Sequence, residues 1–205
     1  MNLPNKITLS RICFIPVLML FVIPIPESVI NVSFLQFMHP QLVAINQFLL
    51  TYGGYIAAGI FIIASSTDAV DGYIARKRQL VTNFGKFLDP IADKLLVTAA
   101  LMALVQSGGV NGWAAMLIIA REFIVTGLRL VAAGEGIVIA ASKLGKLKTV
   151  MQDIAIVAAL LKNFPISLFT DFQFDDYAML LAVIITIYSL YDYIKKNLNV
   201  INLNT

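Results

Sequence analysis

The sequence predicts an all-α, polytopic membrane protein. Six transmembrane helices form a single domain over residues 1–205, with N and C termini cytosolic. Three observations carry this. Hydrophobic residues make up 59 % of the chain and charged residues only 13 %, roughly half the ~25 % charged share of a soluble domain. Mean hydropathy is +0.84, so a water-soluble fold would lack polar residues to cover its surface. Apolar runs near the ~20 residues that span a bilayer recur along the chain. The lysines and arginines between those runs alternate in a way that selects one orientation.

The first run, MNLPNKITLSRICFIPVLMLFVIPIP, has Lys6 and Arg11 ahead of its apolar stretch and Pro24 and Pro26 behind it. It lacks small residues at a cleavage site and therefore reads as a retained span rather than a signal peptide. Ahead of it, Asn2 to Ser10 reads as a short interfacial segment, with Asn5 and Thr8 as turn or cap residues. Residues 27–47 mix Glu27, Asn31, Gln36, His39 and Gln41 with apolar side chains and contain no lysine or arginine. That mixture suggests a segment lying at the membrane surface.

The second span runs from Leu49 to Ala75 and ends at Arg76-Lys77-Arg78. A third begins near Phe84 and continues through Leu104, with Gly108-Gly109 as its stop. Pro90 marks either its start or a kink. Trp113 to Ala133 is the fourth span, interrupted by Arg121, Glu122 and Arg129. The fifth runs from about Leu147 to Leu161 and stops before Asn163-Phe164-Pro165, and the sixth runs from about Tyr177 to Tyr193 ahead of Lys195-Lys196.

Six spans put both termini on one side. Lys6, Arg11, Arg76, Lys77, Arg78, Lys143, Lys146, Lys148, Lys195 and Lys196 all fall on that side, against Lys162 and three aspartates opposite. Basic loops stay in the cytosol, so the termini belong there, in the cytoplasmic membrane. A net charge of +3 gives no reason to expect a nucleic-acid partner. Cys13 is the only cysteine, which excludes an intrachain disulfide and a cysteine-based metal cluster; it reads as packing within an apolar helix. His39 stands alone and reads as incidental.

The chemistry lies in SSTDAVDGYIARKRQLVTNFGKFLDPIADKLL. On helices, Asp68 and Asp71 are i, i+3 neighbours, and Asp89 and Asp93 are i, i+4 neighbours, so each pair projects from one face. Both pairs fall at the cytosolic ends of consecutive spans. Unpaired carboxylates in an apolar surround are costly. Surface carboxylates balanced by Arg76, Lys77, Arg78, Lys86 and Lys94 would meet that demand, but would not explain why Gly85, Asp89 and Asp93 share a face. Gly72, Gly85 and Ala75 leave room beside the acids, as a ligand site needs. Carboxylate oxygens suit Mg²⁺ or Mn²⁺, and two such ions would offset four charges and serve a phosphoryl displacement. Arg76 is placed to bind a diphosphate.

The string Asp68-x₂-Asp71-Gly72-x₂-Ala75-Arg76-x₈-Gly85-x₃-Asp89-x₃-Asp93 resembles, position by position, the signature of the CDP-alcohol phosphotransferases. The resemblance implies a membrane-embedded homodimer that uses divalent metal to join a CDP-linked group to an alcohol, releasing CMP. It implies that Asp68, Asp71, Asp89 and Asp93 bind metal and that Asp93 is also the general base. It further implies that Gly72, Ala75, Arg76 and Gly85, with Asn5 and Thr8, surround the CDP-diacylglycerol donor.

Two flanking stretches address the acceptor. Asn5-x₂-Thr8-x₂-Arg11-x₄-Pro16 and REFIVTGLRL followed by GKLKT are similar to the bacterial phosphatidylglycerophosphate synthase branch of the family. Arg121 and Arg129, eight positions apart, read as lying near one helix face within a span, where arginine is functional by default. A structural ion pair of Arg121 with Glu122 or Asp153 is the alternative. With Lys143, Lys146 and Lys148 at the cytosolic mouth, these residues suit the dianionic phosphate of glycerol 3-phosphate, although each lysine also fits a topology-setting role. Cardiolipin, phosphatidylserine and phosphatidylinositol-phosphate synthesis stay open on these residues. An intramembrane prenyltransferase fits poorly, because Thr67 precedes Asp68 and 205 residues are few for that class. A transporter would place its acids nearer the bilayer midplane.

Overall fold

The computed structural model of the chain describes residues 3–77, 83–134, 136–137, 139 and 142–198, and within them the side chains of all but residues 3–7, 33, 35, 68–77, 83–87 and 89. The described residues form α1 (Leu3–Val22), α2 (Glu27–Ile30), α3 (His39–Phe48), α4 (Gly54–Lys77), α5 (Asn83–Gln106), α6 (Gly112–Gly134), α7 (Lys143–Leu160) and α8 (Phe174–Lys196), with no strand among them. Each long apolar run of the sequence is a helix. Among the described residues two stretches are long and apolar enough by themselves to cross a membrane, Gln36–Thr67 and Phe174–Lys196; Thr8–Val22 is a shorter apolar one.

Two boundaries differ from the sequence reading. Among the described residues the N-terminal stretch is not a separate segment: α1 is continuous from Leu3, and Thr8 lies inside it rather than at a cap. Nothing in KITLSRICF breaks a helix, and Pro4 falls in the first turn, where a missing N–H costs nothing. The surface segment expected over residues 27–47 is only partly separate. A 3₁₀ turn at Ser33–Met38 enters α3, and a π turn at Leu49–Gly53 carries α3 into α4 as one helical path. The third span starts where the sequence placed it: α5 begins at Asn83, and Pro90 lies within it rather than at its start. Cys13 is a further correction, being exposed rather than packed.

Two compact units divide the chain. One comprises Met1–Gly109 with Leu160–Lys162, the other Val110–Ala159 with Asn163–Thr205. In the first, α1 packs along both α4 and α5, which also touch each other. Its core is built largely from small residues: Ala57, Ala58 and Ala64 of α4, and Ala92, Ala99, Ala100 and Ala103 of α5, are all buried. Small side chains let helix backbones approach closely where lipid offers no competing hydrophobic drive. At Gly53 the approach is closest, because a Cβ there would overlap the carbonyl oxygen of Phe21. After α1 the chain is tied down by Asn46, whose Oδ1 accepts the Ile25 N–H at 2.9 Å. The Gly108-Gly109 stop forms as expected. Gly108 takes φ 77°, and the N–H groups of Gly108 and Gly109 bond back to Val105 and Leu104 at 3.2 and 2.8 Å, a Schellman ending.

In the second unit α6 packs against α8. The buried face of α8 carries Ala178, Ala182, Thr186, Ser189 and Tyr193, and that of α6 carries Ala115, Ile118, Arg121, Val125 and Ala132. Asn111 caps α6 through a 2.8 Å bond from the Trp113 N–H, and Ser142 caps α7 through a 2.9 Å bond from the Gly145 N–H. Outward faces of the helices are apolar: Ile62, Ile63, Met116, Phe123, Leu130 and Ile184 are exposed. Exposed apolar surface on this scale marks a face meant for something other than water.

Candidate active site

The acidic motif lies on the two touching helices of the first unit. Asp68, Asp71, Gly72, Ala75 and Arg76 occupy the last turns of α4, and Gly85, Asp89 and Asp93 the first half of α5. Of these side chains that of Asp93 is described, and it is half-buried. The side chains of Asp68, Asp71, Asp89, Arg76 and Asn5 lie outside the described set. The donor set is all carboxylate oxygen on paired helices, which fits a hard divalent cation and excludes a soft one.

α1 is tied to the turn that leads into this motif. Thr8 and Arg11, one turn apart, are each 1 % exposed, and the Arg11 Nε donates to the carbonyl of Ala64 at 3.1 Å. In an α-helix that carbonyl also accepts the N–H of Asp68. The sequence places Arg11 among the basic residues on the side of the termini, and it is one of the largest fully buried side chains described.

The basic residues belong to the second unit, and they separate into two groups. Arg121 is 7 % exposed and Lys148 2 %. Glu122 bridges them, accepting from the Arg121 Nη1 at 3.1 Å and forming an ion pair with the Lys148 ammonium. The Arg121 Nη2 donates to Ser189 Oγ at 2.8 Å, while its Nε is buried with no partner. A Cβ at Gly145 would sit 3.8 Å from that Nη2, so the first turn of α7 comes up beside the guanidinium without crowding it.

Arg129, Lys143 and Lys146 are exposed. Arg121 and Arg129 therefore do not share a face, because eight residues at 3.6 per turn leave them about 80° apart. Arg129 lies over the ring of Tyr193, its guanidinium carbon 5.7 Å from the centroid. Lys148 joins Gln152, Ala155, Ile156 and Ala159 on the buried face of α7, while Lys143 and Lys146 fall off it. Lys143 instead lines a cavity of about 460 Å³ with Ser142, Tyr193, Lys196 and Asn197 and the apolar Ile137, Ile139 and Leu144.

Of the two partners weighed for Arg121, Glu122 is the one in contact. Ser189, 68 residues further on, carried no sequence signal beyond its place on a helical stripe with Ala182 and Thr186. A buried arginine braced by an acid and a hydroxyl, beside a buried lysine, can hold a phosphate-bearing ligand by charge-assisted bonds.

Helices α4 and α5, with their fixed sequence of acids and small residues, define a class of metal-dependent phosphoalcohol transferases. The chain belongs to the CDP-alcohol phosphatidyltransferase family, whose profile matches residues 1–188. Members of this family work with divalent metal ions. Among its relatives, the CDP-diacylglycerol–glycerol-3-phosphate 3-phosphatidyltransferase of Bacillus subtilis (strain 168) is 50 % identical over 197 residues, covering 96 % of this chain and 95 % of that protein. Proteins of the same name from Rickettsia bellii (strain RML369-C) and Rickettsia typhi (strain ATCC VR-144 / Wilmington) are 36 % and 41 % identical. They cover 95 % and 78 % of this chain, and 94 % and 76 % of their own lengths.

Proposed function

We propose that the chain, acting as one domain, transfers the phosphatidyl group of CDP-diacylglycerol to the sn-1 hydroxyl of glycerol 3-phosphate, giving phosphatidylglycerophosphate and CMP. The observation that carries this is 50 % identity, over nearly the whole of both chains, to a relative named for that reaction. The buried Arg121–Glu122–Lys148 cluster supports the acceptor half, because a neutral alcohol would not need it.

In the proposed mechanism Asp93 takes the proton from the acceptor hydroxyl. The freed oxygen attacks the phosphorus attached to the lipid, and the bond to CMP breaks. Asp68, Asp71, Asp89 and Asp93 would hold the metal, Mg²⁺ or Mn²⁺ and two ions in our reading. When bound, it supplies positive charge to the phosphate oxygens and to the departing CMP. Gly72, Ala75 and Gly85 leave space for the nucleotide, Arg76 lies by its phosphates, and Asn5 and Thr8 complete the donor site. Arg121 and Lys148, with Arg129, Lys143 and Lys146 nearer the surface, receive the acceptor phosphate.

The enzyme spans the cytoplasmic membrane six times with both termini and the site on the cytosolic side, and works as a homodimer. The apolar outer faces of α4, α6 and α8 favour this placement. The deciding experiment gives purified protein CDP-diacylglycerol with glycerol 3-phosphate, serine, inositol phosphate or phosphatidylglycerol in turn, and follows CMP. Release is expected with glycerol 3-phosphate and lost on chelation; release with another acceptor alone would overturn the assignment. Asp93→Asn should abolish turnover while the protein still folds, and near-normal activity would remove Asp93 from the role of base.

A further inference from the structure

The geometry points to Ser189 as the residue that positions Arg121 for the acceptor phosphate, an inference resting on the acceptor-site reading above. A buried arginine is useful as an anion receptor only if its fork is held in one plane. Glu122 fixes one terminal nitrogen of Arg121, but it is the adjacent residue on the same helix and is shared with Lys148. The second anchor comes from the facing helix. Ser189 Oγ, fully buried on α8, accepts from the Arg121 Nη2 at 2.8 Å. With each terminal nitrogen engaged by a different partner, the plane of the guanidinium is set. What remains is Nε, a buried donor with no acceptor.

An unmet buried N–H is costly. One that lies in the cluster proposed to receive a dianion is a donor kept for a ligand oxygen. The neighbouring positions on α8 do not share this task. Thr186 and Tyr193, at i−3 and i+4 from Ser189, are both buried, and their hydroxyl oxygens have no partner. Ser189 is the position on this stripe whose oxygen meets the guanidinium. A Cβ at Gly145 would lie 3.8 Å from the Arg121 Nη2, an ordinary contact distance, so α7 comes up beside the guanidinium without crowding it.

The test is steady-state kinetics of the full-length enzyme in detergent with both substrates varied, comparing wild type with Ser189→Ala, Ser189→Thr and Arg121→Gln. Loss of one charge-assisted hydrogen bond should raise KM for glycerol 3-phosphate about tenfold in Ser189→Ala. The loss should fall on that KM rather than on kcat or on KM for CDP-diacylglycerol, and Ser189→Thr, which keeps a hydroxyl, should recover most of it. A merely structural serine would instead lower the melting midpoint without separating the two KM values. That result, or an unchanged acceptor KM in Ser189→Ala while Arg121→Gln raises it, overturns the role of Ser189 and leaves the acceptor site standing. If Arg121→Gln itself leaves the acceptor KM unchanged, the acceptor-site reading falls and the inference falls with it.

Discussion

Arg11 and Arg121 are both buried arginines, and each is held by a bond to another helix. The Arg11 Nε bonds a backbone carbonyl of α4, and Arg121 bonds a side-chain hydroxyl of α8. Buried charge is expensive, so each must be compensated where it sits. For Arg11 the compensation serves packing of α1 against the turn that precedes Asp68. Arg11→Ala removes a large, fully buried side chain and should cost about 2–5 kcal/mol, as cavity-forming substitutions do. Arg11→Met keeps most of the volume and loses the polar bonds, so it should cost less, about 1–3 kcal/mol. Unfolding midpoints in detergent micelles check the order; equal midpoints for wild type and both variants would mean that Arg11 contributes nothing to this packing. Part of this was legible in the sequence. Glu122 could be named as a partner of Arg121 because it is its neighbour, but the burial of Arg11 and the reach to Ser189 depend on which helices face each other. Spacing along one chain does not encode that.

At the scale of elements, helix existence was plain and helix ends were less so. Apolar periodicity and length predict the long helices, and Gly108-Gly109 predicts a stop because a left-handed residue closes the last turn. Pro90 left two readings open, a helix start or an interior position, and it lies inside α5, where neighbouring residues carry the helix past it. The glycines of α4 and the turn before it separate two roles that sequence alone cannot tell apart. Gly53 lies where a Cβ would overlap the Phe21 carbonyl oxygen, whereas nothing lies within 4 Å of a Cβ added at Gly59. Gly53→Ala should therefore destabilise the first unit by about 1–3 kcal/mol through overpacking of α1. Gly59→Ala should be neutral or stabilising by up to about 1 kcal/mol, because it restores helix propensity at no steric cost. Thermal unfolding of the two variants side by side is the check, and a tolerated Gly53→Ala would mean that α1 can shift away from the π turn.

For the whole molecule the governing fact is an apolar outside: beside an alanine-rich core that also buries Leu18, Phe61, Leu101, Ile118 and Ile156, large apolar side chains such as Ile63, Trp113, Leu130 and Ile184 stand exposed. Such a surface suits lipid, and the distribution of charge then sets the proposed orientation. Arg11 drops out of that count because it is buried, but Lys143, Lys146 and Lys196 remain exposed, as the positive-inside rule requires of a cytosolic side. Lys162, exposed after α7 and donating to the Leu50 carbonyl at 3.2 Å, is the basic residue assigned to the opposite side, near Asp171, Asp175 and Asp176 in sequence. The assignment yields a labelling test that does not depend on catalysis. Cys13 is the chain's only cysteine and is exposed, so Cys13→Ser supplies a clean background. A single cysteine in place of Lys196 should then react with a membrane-impermeant maleimide only after the cells are opened. One in place of Asp171, in the loop before α8, should react in intact cells. Labelling of both from outside, or of both only after lysis, would place the two ends of α8 on one side of the membrane and rule out its crossing.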